Sequence, residues 1–410
     1  MKEKSYMIAV PQNVDVLKKP ADIMNRLSES FDVNLISHDC GFDGTLQFTV
    51  DANGEEYTLE ARPIEIEIPQ MYRTQHFFPD IDIEFISNAE IGLLVSMEFG
   101  KEPLESYHAQ LKIITEMVPD IVAVIDDSSE KILSGKWVKL AAKSAVPPAP
   151  RYIYTVQAVS SGDDGCVWLH SHGMNRCGMP ELEILDSAKE TYQEHYNVIE
   201  TLANRLLEME EPIQTGEPLF LARMTEEIPM VVTLIDWKEA VENYPEDMLG
   251  GRKDREEGHN QNTCAVYVYA QYDDIEKRNY SPVSVFDEFM KDNPLYMIST
   301  KETERMKKQA RERLDYMIKA FENKDNKIIV KIGLEMDEEF RDDQNQHEHI
   351  WFELQEVLDG SIKGALIQEP YYVKDMHEGS VGIYDFDMIT DWLIYTRERR
   401  LTTDDVYLLA

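Results

Sequence analysis

Thr45-Leu46-Gln47-Phe48-Thr49-Val50 and Glu56-Tyr57-Thr58-Leu59-Glu60 read as two strands, joined through Asn53-Gly54. That dipeptide tolerates the positive φ that tight hairpin turns need. Upstream, Tyr6 to Val10 reads as a strand, Pro20 to Ser30 as a helix with proline near its first turn, and Phe31 to Ile36 as another strand. Downstream, Ile64, Ile66 and Ile68 alternate with acidic residues, the pattern of a strand with one buried and one wet face. Glu90 to Phe99, a helix from Pro103 to Val118, and Ile121 to Ile125 repeat the strand, helix, strand order. These pieces predict an α+β sandwich with a mixed or antiparallel sheet over residues 1–144.

Val146-Pro147-Pro148-Ala149-Pro150 must be extended, because each proline fixes its own φ and restricts its predecessor, so 145–150 reads as a linker. A second α+β domain is expected over 151–322. It opens with strand-like runs at Tyr152 to Val159 and Cys166 to His172, followed by Pro180 to Leu185. Leu185, Ala188, Tyr192, Ile199, Ala203 and Leu206 keep close to a 3.6 period and predict a helix. Ser299 with Glu302 forms a capping-box signature ahead of a second helix with a stripe of Met306, Ala310, Leu314, Met317 and Phe321. Gly250 to Asn262 is too polar for burial and reads as a surface loop, with a lid as the alternative. After the polar stretch 322–327, residues 327–410 are expected to form a small β-rich, barrel-like third domain. The whole is an α+β, multidomain chain with packed helices.

A chain of 410 residues exceeds what one hydrophobic core sustains, and 43% hydrophobic with 29% charged residues is a folded composition. Against 41 Lys and Arg stand 78 Asp and Glu, a net charge of −37. That excess repels phosphate backbones and anionic membrane surfaces, so neither nucleic acid nor membrane is an expected partner, whereas a basic protein partner fits. Ordinary solubility is the plainer account of the same charge. Cys40, Cys166, Cys177 and Cys264 contain no C-x-x-C and suggest neither a disulfide scaffold nor a zinc ribbon. No signal-peptide core or membrane-length apolar run occurs, and a cytoplasmic protein is expected.

The sharpest chemical constellation is Trp168-Leu169-His170-Ser171-His172-Gly173, followed by Cys177 and Glu181-Leu182-Glu183. On a strand, His170 and His172 share a face, which lets two imidazoles converge on a divalent metal, with Glu181 or Glu183 returning as a carboxylate ligand. Such an ion would leave positions open for water and hydrolytic or oxidative chemistry. The spacing to Glu181 is too long for a cupin, and the structural reading is a tight hairpin whose polar groups bond to backbone. No phosphate-binding glycine loop, nucleophile elbow or zincin helix occurs, and no cofactor is expected beyond that metal. Triads cannot be read from order along the chain, since their members meet in space. Glu335 to Glu339 and Asp342-Asp343 lack EF-hand spacing and read as a solvated loop.

Near the C-terminus, His347-Glu348-His349-Ile350-Trp351 is followed by Gly364-Ala365-Leu366, Pro370, Gly379 and Ile389-Thr390-Asp391-Trp392. Alternation puts Ile350, Phe352 and Leu354 on a core face and His349, Trp351 and Glu353 on the other. His349, Trp351, Asp391 and Trp392 are candidate binding residues for a planar or peptide ligand, or else anchors of the small domain. This run resembles the uncharacterised domain of YegJ-like bacterial proteins, and residues 1–322 resemble the region that accompanies it, through Trp168 to Gly173 and Pro180 to Glu183. The resemblance implies no activity. Two functions follow from the residues: a non-catalytic, immunity-like interaction protein with an acidic surface, or a metal-binding protein or metal-dependent enzyme centred on His170 and His172.

Overall fold

The computed structural model describes residues 2–409 except 75–76, 161–164, 210–212, 226–227, 256–259, 292–299 and 342–345. Its fold is α+β, built on three sheets in two compact units. One unit is Met1–Ala142 with Pro148–Met297, and the other is Lys143–Pro147 with Ile298–Ala410.

The first sheet contains β1 (Ser5–Pro11), β2 (Asn34–Cys40), β3 (Leu46–Ala52), β4 (Glu55–Glu65), β5 (Ile91–Met97), β6 (Ile121–Asp126) and β7 (Lys131–Ser134), in the order β2-β3-β4-β5-β1-β6-β7. Asn53 and Gly54 both take positive φ (58° and 83°), which sets the β3–β4 turn. The strand expected at Phe31 to Ile36 starts later, at Asn34, because Asn34 to Cys40 is the run that pairs with β3. Helices α1 (Pro20–Ser28), α2 (Gln70–Thr74), α3 (Ile83–Ser87), α4 (Pro103–Met117) and α5 (Gly135–Lys143) accompany this sheet. Val10, Ile125 and Ile132 pack with Tyr72 of α2 and Ile86 of α3. Met7 and Ala9, on the opposite face by alternation, are fully buried too. Both faces are therefore covered, and α4 is tied to this sheet by Gln110 Nε2, which donates to the Val95 carbonyl at 3.2 Å.

The second sheet holds β8 (Thr155–Ser160), β9 (Cys166–His172), β10 (Glu181–Ala188), β11 (Leu219–Arg223), β12 (Pro229–Asp236), β13 (Thr263–Val268) and β14 (Ser281–Pro282). The order is β11-β12-β13-β10-β9-β8, with β14 against β13; β10 and β13 run parallel, so the sheet is mixed. Leu185 and Ala188 belong to β10, not to the helix their spacing suggested, because Ala188 pairs with Cys166 of β9. The helix α6 is Tyr192–Leu207, and it buries His195, Val198, Ile199, Leu202, Ala203 and Leu206. Short helices α7 (Trp237–Ala240), α8 (Tyr272–Lys277) and α9 (Asp287–Met290) complete this part. The loop Gly250 to Asn262 corrects its expectation. Gly250, Gly251, Arg255 and Asn260 are buried, since a polar segment can sink into a core when its charge meets a partner there.

In the second unit, α10 (Thr300–Glu312) and α11 (Leu314–Phe321) replace the single helix expected, with the break at Arg313. Ala310 and Met317 are buried as the stripe predicted, yet Arg305, Gln309 and Arg313 are buried beside them. Gln309 Nε2 donates to Asp404 Oδ1 at 2.9 Å, and Arg313 to the Thr403 carbonyl at 2.8 Å. These partners explain why a polar stripe tolerates burial. Ser299 of the capping box, and Asp342-Asp343, lie outside the described residues. The third sheet is antiparallel: β15 (Lys327–Glu335), β16 (His347–Leu358), β17 (Ser361–Leu366), β18 (Val381–Asp385), β19 (Ile389–Tyr395) and β20 (Arg400–Leu401), ordered β18-β17-β16-β15-β19-β20. It is an open sheet, not the barrel-like closure expected, because its apolar face packs against a helix: Trp392 Nε1 donates to the Ala310 carbonyl of α10 at 2.8 Å. Ile350 and Phe352 on that face are fully buried, worth roughly 1.5–3 kcal/mol each.

Candidate functional site

Trp168, His170 and His172 alternate along β9 and share one face, with centroids 4.0 Å apart for Trp168 and His170 and 4.9 Å apart for the two histidines. His170 lies opposite Glu183 of β10 and Gln157 of β8. The two carboxylates proposed as ligands are engaged elsewhere. Glu183 Oε2 accepts from Arg255 at 2.5 Å and from Trp168 Nε1 at 3.0 Å. The Arg255 guanidinium also lies 4.5 Å from the Trp237 ring centroid, so it is clasped by one carboxylate and an indole face. Burial pushes the Glu183 carboxyl up, and Arg255 pulls it back down. Glu181 accepts from Ser171 Oγ at 2.6 Å and from the Gly173 and Asn175 amides at 2.9 and 3.0 Å, which fastens the turn after β9. His172 Nδ1 is 3.6 Å from Glu130 Oε1, and Gln157 donates to Oε2 of the same carboxylate at 2.6 Å. Among the described residues, no three His, Cys, Asp or Glu side chains gather as a metal site.

The turn after β9, which holds Arg176, reaches the first sheet. Arg176 makes a two-pronged pair with Asp126 of β6 at 2.7 and 2.9 Å, both side chains fully buried, and donates to Ser5 Oγ at 3.1 Å. The Tyr107 and Phe99 rings flank its guanidinium at 5.2 and 5.5 Å. Lys131, also buried, donates to the Tyr154 carbonyl at 2.8 Å, and burial holds its pKa down at about 7. The neighbouring Cys177 thiol is pushed up to about 12 by burial, which keeps it protonated and unreactive.

Sequence reasoning missed a serine, histidine and aspartate chain in the same unit. Ser187 of β10, His195 of α6 and Asp287 of α9 form it: Ser187 Oγ meets His195 Nδ1, and His195 Nε2 meets Asp287 Oδ1, both at 2.8 Å. No local motif announces it. The one usable signal was a histidine on the apolar stripe of α6, three residues past Tyr192. Ser187 is fully buried, so the relay cannot present a nucleophile to a substrate.

In the second unit, His349 and Trp351 stand on the less buried face, with His349 Nδ1 3.1 Å from Thr390 Oγ1. Lys331 lies between Trp351 and Asp391 in register, its ammonium 5.3 Å from the Trp351 centroid. Loss of surrounding water, then Lys331, lowers the His349 pKa. Burial raises that of Asp391 to about 6. Trp392 does not join this group, since strand alternation turns it to the core face.

Residues 5–148 match the N-terminal family, and 156–267 the C-terminal family, of a protein of unknown function (DUF4026). Residues 301–403 match an uncharacterized protein conserved in bacteria (DUF2314). No curated protein and no solved structure matches the chain. Among the described residues, no helix is long and apolar enough to cross a membrane.

Proposed function

We propose that this chain is a non-catalytic protein-interaction protein, immunity-like in mode, whose acidic exterior engages a basic protein partner. One observation carries the reading: Glu183 is buried against Arg255, Asp126 against Arg176 and Ser187 against His195, while the net charge of −37 leaves the carboxylate excess as the property available outside. Buried pairs of this kind organise a fold, whereas an uncompensated surface field steers association. On this reading residues 327–410 act as a YegJ-like module, and the protein works in the bacterial cytoplasm without nucleic acid or membrane.

The test is the ionic-strength dependence of the association rate with a partner captured in pull-down. A fall of roughly tenfold or more between low and high salt is expected, and a rate that does not respond to salt sinks the proposal. Stoichiometric metal in the purified protein, lost when His170 and His172 are replaced by Ala, would put the metal-centred alternative in its place.

A further inference from the structure

Among the described residues seven strands pair on one side only, and of those longer than two residues β2 alone has no buried residue. Six of its seven residues are exposed, and it pairs on one side only, with β3. Free edges are usually guarded by lysine, proline, a bulge or a covering segment. Here residues 20–100 contain no lysine, three arginines and sixteen Asp and Glu. A register shift between Leu35 and Ser37 interrupts the strand and leaves Ser37–Cys40 as its regular edge, where the Cys40 amide donates to Asp39 Oδ1 at 2.9 Å, a bond that an added strand would replace. Fully exposed phenylalanines, Phe31 and Phe42, stand before and after it.

The two faces of this ribbon differ. Asp39 lies in a row with Gln47 and Glu60, and Asn34 in a row with Asp51 and Glu56. On the other face, His38 continues the row of Phe48 and Leu59, and Cys40 the row of Leu46 and Ala61. A strand added beside Ser37–Cys40 would therefore meet the Asp39 carboxylate on one face and, on the other, His38 and Cys40, which extend the rows of buried Phe48 and Leu46. A second copy of this chain is a poor occupant, because its own acidic edge would oppose Asp39 and its neighbours.

We propose that the free edge of β2 docks an extended partner segment in which basic and apolar residues alternate, its backbone continuing the ladder and its Lys or Arg side chains lying over Asp39. This rests on the basic-partner reading and adds where and in what conformation the partner binds.

The probe is a short peptide of alternating lysine and valine, with a control of the same sequence methylated at alternate backbone nitrogens. The exposed Cys40 thiol reports occupancy through its alkylation rate, and backbone amide exchange over Ser37–Cys40 reports pairing. Saturating peptide is expected to slow both by roughly tenfold, and the methylated control by far less. Ile36→Lys with Asp39→Lys should abolish the protection, while the charge-matched Asp273→Asn with Glu276→Lys on α8 should retain it. Equal binding of both peptides, or equal loss in both variants, overturns edge docking and leaves the acidic-surface reading intact. No binding of either peptide at low salt overturns both.

Discussion

Ser187 Oγ hydrogen-bonds His195 at Nδ1, which leaves Nε2 for Asp287. Hydrolytic triads use the opposite assignment, with the serine on Nε2 and the carboxylate on Nδ1. The relay instead fastens α6 and α9 to β10. Fluorophosphonate should leave Ser187 unlabelled in the folded protein, as read by mass spectrometry. Ser187→Ala should cost about 1–3 kcal/mol in urea unfolding, since the buried Nδ1 loses its donor. A labelled Ser187 would restore the catalytic reading.

Arg255 is held by Glu183 with both side chains excluded from water. Removing one member leaves a buried charge unpaired, so Arg255→Met should destabilise by about 3–5 kcal/mol. Glu183→Gln combined with Arg255→Met should recover much of that loss, because glutamine still accepts from Trp168 Nε1. Denaturant midpoints of the two single variants and the double variant form the check, and a strictly additive double would show the pair is not coupled.

Lys131 has a folded pKa of about 7 against an ordinary 10.5. Between those values the unfolded chain binds a proton that the folded chain does not, so this residue makes stability rise with pH across that window. Below it both states are protonated, and the cost of burying the ammonium stands in full. Lys131→Met should therefore stabilise most near or below pH 7, with the advantage shrinking toward pH 10. Thermal midpoints of both proteins over that range decide it; a constant difference would refute the assignment.

Asp391 is raised to about 6 from 3.8, the opposite case for an acid. Between these values the folded state retains a proton that the unfolded state has lost, so stability falls as pH rises. Asp391→Asn should slow amide exchange in β19 at pH 7.5 and give no gain at pH 4 or below. Equal effects at both pH values would point to packing, not ionisation.

Much of the frame was legible because it rests on local chemistry. The Asn53-Gly54 turn, proline at the start of α1 and α4, and alternation through Ile350, Phe352 and Leu354 each follow from one segment's own residues. Errors arose where distant partners decide. Leu185 and Ala188 fit a helical period but are claimed by β9, and Arg255 looked like a surface residue because Glu183 lies far back in the chain. The histidine pair was visible and its surroundings were not: whether Glu181 is a ligand or a turn fastener depends on the Ser171, Gly173 and Asn175 donors, which only folding gathers.

Arg176 reaches out of the segment matched to one family and neutralises Asp126 in the segment matched to another. Severed between 148 and 156, the first piece would keep an aspartate designed into a dry interior with nothing to balance it. The two stretches are thus physically one part, and a split reporter or domain transplant cut at that border would separate halves of a single electrostatic joint.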